Sequence, residues 1–105
     1  MKKSYNKLVR DRIPKIIEAA GGKCKVEVLG DEEYLKMLDT KLDEELAEYH
    51  KDQNIEELAD LVEVIYAAAV ARGYTVEELE AVRIKKAEER GGFRDKILLI
   101  ETVTE

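Results

Sequence analysis

Residues 41–64 read KLDEELAEYHKDQNIEELADLVEV. Two acidic pairs stand in this stretch, Glu45/Glu48 and Glu57/Asp60, each spaced acid-x-x-acid. Residues three apart share one face of an α-helix, so each pair can aim two carboxylates at one point. A polar break, Lys51-Asp52-Gln53-Asn54, separates the pairs. Helices joined by so short a connection run antiparallel and side by side. The stretch therefore predicts a helical hairpin on which four carboxylates converge.

The apolar positions set where those acids point. On the first helix they are Leu35, Leu38, Leu42, Leu46 and Tyr49; on the second, Leu58, Leu61, Val62, Ile65 and Ala69. At about 100° per residue, Glu45 and Glu57 fall on the edge of these stripes, with Glu48 and Asp60 just beyond. Packed carboxylates repel and lose hydration, so they need a counter-charge. A hard divalent cation with oxygen ligands supplies one, and Mg²⁺ commonly binds substrate phosphates at the same time. The alternative is a solvated acidic rim, since charged residues make up 40% of the chain and such residues are mostly exposed.

Composition narrows the function classes. A chain of 105 residues suits one domain, here residues 1–105, with a modest core. The net charge of −6 argues against binding a nucleic acid polymer, which favours basic surfaces. The lone cysteine, Cys24, excludes an internal disulfide and suits a reducing, cytoplasmic location. No apolar run is long enough to span a membrane, and the basic start MKKSYNKLVR lacks the apolar stretch of a signal peptide.

Along the chain, Pro14 suits the first turn of a helix with Asp11 as N-cap, continuing to Ala20 and stopped by Gly21-Gly22. Lys23–Leu29 (KCKVEVL) reads as a short strand, with Cys24 packed in it. Asp31 caps a helix over about Glu32–His50, and a further helix runs from about Ile55 to Arg72 and ends at Gly73. Thr75 with Glu78 is a capping-box signature for a helix over Val76–Arg90, with Leu79, Val82 and Ile84 as its apolar contacts. Phe93–Val103, containing KILLIETV, reads as a second strand able to pair with the first into a ribbon that must itself pack on something. Tyr34, Tyr49, Tyr66 and Phe93 read as core or interface residues, and His50 as a cation at a helix end. Val64, Ile65 and Ala67–Ala71 make the 55–72 helix apolar nearly all round, which is the mark of a helix buried between subunits of a homo-oligomer.

Together these residues resemble the all-α nucleoside triphosphate pyrophosphohydrolases of the MazG-like superfamily. The acidic motif is matched by Glu44-Glu45-Leu46-Ala47-Glu48 and Glu57-Leu58-Ala59-Asp60, preceded by Lys41-Leu42. Asn6–Pro14 (NKLVRDRIP) and Lys86–Phe93 (KAEERGGF) look like the phosphoribosyl-ATP pyrophosphohydrolase-like subgroup. The resemblance covers nearly the whole chain. It implies a helical bundle, assembled as a dimer or tetramer, that binds Mg²⁺ or in its place Mn²⁺. It also implies cleavage of the α–β phosphoanhydride of a non-canonical or deoxynucleoside triphosphate to a monophosphate and pyrophosphate, a nucleotide-pool housecleaning reaction. Carried over by position, Glu45, Glu48, Glu57 and Asp60 are metal ligands, and Glu45 also orients the attacking water.

A polyphosphate needs cations as well. Lys86 and Arg90, four apart beside Gly91-Gly92, are the first choices; Lys41 follows and Arg10 comes last. Each has a plainer reading as a surface cation, and Lys41 pairs naturally with Glu45 at i,i+4. Two alternatives stand beside this function: hydrolysis of phosphoribosyl-ATP itself, and a non-enzymatic helical oligomerisation module. A di-iron carboxylate bundle is excluded, because its Glu-x-x-His pairs are missing; the single histidine, His50, has Ala47 three residues before it.

Overall fold

The computed structural model describes residues 2–104. Four helices follow one another: α1 (Ile13–Ala19), α2 (Asp31–Asp52), α3 (Ile55–Ala71) and α4 (Val76–Arg90). The described residues contain no strand, so the fold is all-α. Among them no helix is long and apolar enough to cross a membrane.

The α2–α3 hairpin is the centre of the fold, and a two-residue link makes it. Gln53 adopts the left-handed conformation (φ 51°), and its N–H donates to the Tyr49 carbonyl at 2.7 Å, closing α2. Asn54 is extended, and its side chain accepts from the Glu57 N–H at 3.0 Å, opening α3. Capping by Asn satisfies one of the orphan donors of the new helix. α2 therefore continues through Lys51-Asp52, which the sequence assigns to the break. The hairpin packs along one line: Leu38, Lys41, Leu42, Glu45 and Tyr49 of α2 are shielded, as are Glu57, Asp60, Leu61, Val64, Ala67 and Ala68 of α3. Leu38 is the buried centre, 4% exposed.

Other boundaries follow their caps. The Thr75–Glu78 capping box forms in full, with Glu78 N–H donating to Thr75 Oγ1 at 3.0 Å and Thr75 N–H to Glu78 Oε1 at 3.1 Å. α4 spans the expected residues and ends at Gly91. Two expected caps are not used. Arg12, not Asp11, occupies the N-cap of α1, and Gly30, not Asp31, that of α2. Asp31 instead joins Glu32 and Glu33 in the first turn, where acids suit the helix dipole.

The two expected strands are not formed. Residues 23–29 and 97–103 have no regular secondary structure and no ladder hydrogen bonds. The first lies beside α2, while the second follows the free end of α4, so no common face brings them together. A two-stranded ribbon without a surface to pack on is marginal. Val28, Ile97, Leu98, Leu99, Ile100 and Phe93 are all open to solvent, and so is Cys24, which the sequence reading packs in a strand.

α4 rests on α3 through its first half only, where the Tyr66 hydroxyl donates to Glu80 Oε1 at 3.2 Å. Leu79 is partly covered, but Val82 and Ile84 remain exposed. The chain measures 65 × 31 × 22 Å, with a radius of gyration of 18.5 Å, against about 13 Å for a compact chain of this length.

Candidate functional site

The hairpin places acids opposite one another. Glu45 and Glu48 precede the Gln53–Asn54 link on α2, and Glu57 and Asp60 follow it on α3. Carboxylate oxygens of Glu45, Glu57 and Asp60 come within 4.8 Å of one another, at half-buried positions. Glu48 stands apart from this trio and groups with Asp52 and Glu57 instead, in a second and more exposed set. Glu57, at the capped start of α3, belongs to both. Asp52 has no part in the sequence reading; its signal was the i,i+4 spacing from Glu48, hidden by the assignment of Asp52 to a loop.

Three hard oxygen donors suit a cation such as Mg²⁺, whose ligands sit about 2.0–2.1 Å away. Opposite ligands in that geometry are about 4 Å apart, so small side-chain rotations would bring the trio onto one ion. The second set, two of whose three members are exposed, reads equally well as solvated carboxylates.

Cations ring the acids. Lys41 Nζ lies 3.3 Å from both Glu44 Oε1 and Glu45 Oε1, and only 20% of its side chain is exposed. Arg10 Nη2 donates to Asp60 Oδ1 at 2.6 Å. Lys7 Nζ donates to Glu44 Oε1 at 3.0 Å. Lys7 belongs with Arg10 to the Asn6–Pro14 segment and is, like it, a candidate cation with an equally plain reading as a surface residue. Its pairing with Glu44 goes beyond the sequence reading, because residues 37 positions apart carry no local spacing signal. Lys86 and Arg90 do the opposite. Both are exposed on the outer half of α4, and neither lines the cleft described below.

Titration follows this layout. Burial pushes the Glu44 carboxyl up, but hydrogen bonds from Lys7 and Lys41 outweigh it, and the group sits below the ordinary value. The hydrogen bond and charge of Glu44 raise Lys7 in turn. Glu57 moves the other way: burial first, then repulsion from Asp60, Asp52, Glu48 and Glu45, raise its pKa. No lysine or arginine among the described residues forms an ion pair with Glu57.

Beside the acids opens a cleft of about 740 Å³. Arg10, Lys41, Glu45 and Asp60 line it, with Asp11, Glu27 and Glu63, alongside the apolar or aromatic Leu8, Ile13, Tyr34, Leu38, Val64 and Ala67. A cleft that combines charged groups with an apolar and aromatic lining suits a small molecule with a charged head and a flat body.

No family model matches the chain. A stretch of 41 residues is 56% identical to an uncharacterised protein of Mycolicibacterium smegmatis (strain ATCC 700084 / mc(2)155), covering 39% of this chain and 42% of that protein. The match thus spans less than half the length of that relative. No solved structure matches.

Proposed function

We propose that the chain is a nucleotide pyrophosphohydrolase of the MazG-like kind, acting with Mg²⁺ or Mn²⁺ as a homo-oligomer. The observation that carries this reading is the meeting of Glu45, Glu57 and Asp60 within 4.8 Å, two of which, Glu45 and Asp60, line a cleft together with Arg10 and Lys41. Glu48 adds a donor through Glu57. A divalent cation bound there would neutralise charge on the phosphates and lower the pKa of a bound water.

The chain's own groups do the rest by position and charge. Glu45, held by Lys41, orients the water whose oxygen adds to the α-phosphorus. The bond from the α-phosphorus to the α–β bridging oxygen breaks, pyrophosphate departs with the bridging oxygen, the water oxygen stays on the monophosphate, and the proton passes to solvent. Lys41 and Arg10 offset the phosphate charge, while Tyr34 and the apolar lining take the base and sugar. Lys86 and Arg90 do not line this cleft, so a part for them in binding the polyphosphate requires a neighbouring copy of the chain. A homo-oligomer is supported by the apolar residues open on α3, among them Ile55, Leu58, Val62 and Ile65.

The test is pyrophosphate release from a panel of canonical and modified deoxynucleoside triphosphates, and phosphoribosyl-ATP, with Mg²⁺. Release is expected from at least one, and its loss in Glu45→Gln/Asp60→Asn. Silence across the panel, with no Mg²⁺ binding, leaves the second reading, a helical oligomerisation module, which the same open apolar residues favour.

A further inference from the structure

We propose that Arg10 is an exchangeable counter-ion of the acid cluster, which leaves Asp60 for a polyphosphate when a divalent cation takes its place. The inference rests on the pyrophosphohydrolase reading above and adds to it an order of occupancy. Residues 2–10 contain no helix and run across the hairpin as a strap. Arg10 reaches Asp60, a residue 50 positions away, and Lys7 reaches Glu44.

Asp60 Oδ1, 2.6 Å from the guanidinium, belongs to the trio that suits a cation. Two positive groups cannot share that carboxylate without repulsion, so Arg10 and a divalent ion compete for Asp60. The strap is built to lose this contest. Arg10 is 57% exposed and Asp60 40%, and exposed pairs of this kind are weak. Lys41 differs: it is largely covered, and it is tied to two acids of its own helix. It stays while the strap moves. Arg10 also lines the cleft, so on leaving Asp60 its fork meets phosphate oxygens without a long excursion, and guanidinium matches phosphate bidentately.

Mn²⁺ titration followed by electron paramagnetic resonance tests the exchange on the full chain, with far-UV circular dichroism as the check on folding. Arg10→Gln should bind Mn²⁺ about two- to fivefold tighter than the wild type, the range of a weak exposed pair. Arg12→Gln, which removes the same charge from the same segment, should bind as the wild type does. An α,β-methylene triphosphate analogue, added with Mn²⁺, should bind Arg10→Gln about tenfold or more weakly, the loss of a charge-assisted hydrogen bond. In the wild type, Mn²⁺ should speed tryptic cleavage after Arg10, a readout that needs no variant. Equal or weaker Mn²⁺ binding by a folded Arg10→Gln overturns the exchange and leaves the pyrophosphohydrolase reading standing. Unchanged cleavage rates overturn it too, should that variant fail to fold. Absence of Mn²⁺ binding in the wild type overturns both.

Discussion

Replacing Val62 and Ile65 by aspartate should dissociate the protein. The chain exposes 10002 Å², whereas a compact monomer of 12.0 kDa exposes about 6,000 Å². The excess of about 4,000 Å² exceeds what each chain loses in an obligate dimer interface, about 1,000–2,500 Å² per subunit. On α3, Val62 and Ile65 are 42% and 39% exposed. Full burial of such side chains is worth about 1.5–3 kcal/mol, so the exposed share is worth about 0.6–1.2 kcal/mol each. In a two-fold dimer every such residue counts twice, giving about 2.4–4.8 kcal/mol for the pair. Buried aspartates then add a desolvation cost. The dissociation constant should rise by about two to three orders of magnitude at least. Sedimentation velocity is the assay. The wild type should sediment at two or four times the 12.0 kDa chain mass at micromolar concentration, and the variant at a lower multiple with a broader, less cooperative melt. A wild type that sediments at the single-chain mass and still unfolds cooperatively would refute the reasoning, because the open apolar face would then need no cover.

Two further outcomes follow from local features. Glu57 has a raised pKa, so the folded chain holds that proton more tightly than the unfolded one. Its favourable contribution is present below the ordinary carboxylate value and lost as pH rises through the raised pKa. Glu57→Gln should therefore raise the melting temperature at neutral pH without divalent ions, with the difference vanishing near about pH 4; it should also abolish any Mg²⁺-induced rise, and a lowered melting temperature at neutral pH contradicts the repulsion. Thr75→Ala removes the acceptor for the Glu78 N–H and should cost about 1 kcal/mol, lowering the melting temperature by about 4–8 °C in a thermal scan; no change would mean that the first turn of α4 is held by its packing on α3 alone.

The helices were legible because their ends carry chemistry that acts locally. Thr75 and Glu78 satisfy each other's backbone across one turn, and Gly91 ends the helix they start. The hairpin and its acid trio were legible for the same reason: a short polar link forces two helices side by side. What failed depends on partners elsewhere in the chain or outside it. KCKVEVL and KILLIETV have strand-forming residues, but period-two alternation becomes a strand only where another backbone completes the ladder. The ion pair of Lys7 with Glu44 follows the path of the strap, which no spacing encodes.

The sequence gives α3 an apolar stripe with Glu57 at its edge and, from Val64 to Ala71, apolar residues nearly all round. Leu61, Val64 and Ala68 pack toward α2 together with Glu57 and Asp60, while Ile55, Leu58, Val62 and Ile65 look outward. At about 100° per residue, the centres of these two groups lie roughly 120° apart, so the apolar residues form one broad arc with its covered edge toward α2 and its open edge away from it. The covered edge of that arc holds the acids against α2, and the open edge leaves Ile55, Leu58, Val62 and Ile65 free for a further contact. Val62 and Ile65 belong to the open edge and Glu57 to the covered group, so Val62→Asp/Ile65→Asp and Glu57→Gln test different contacts of the same helix.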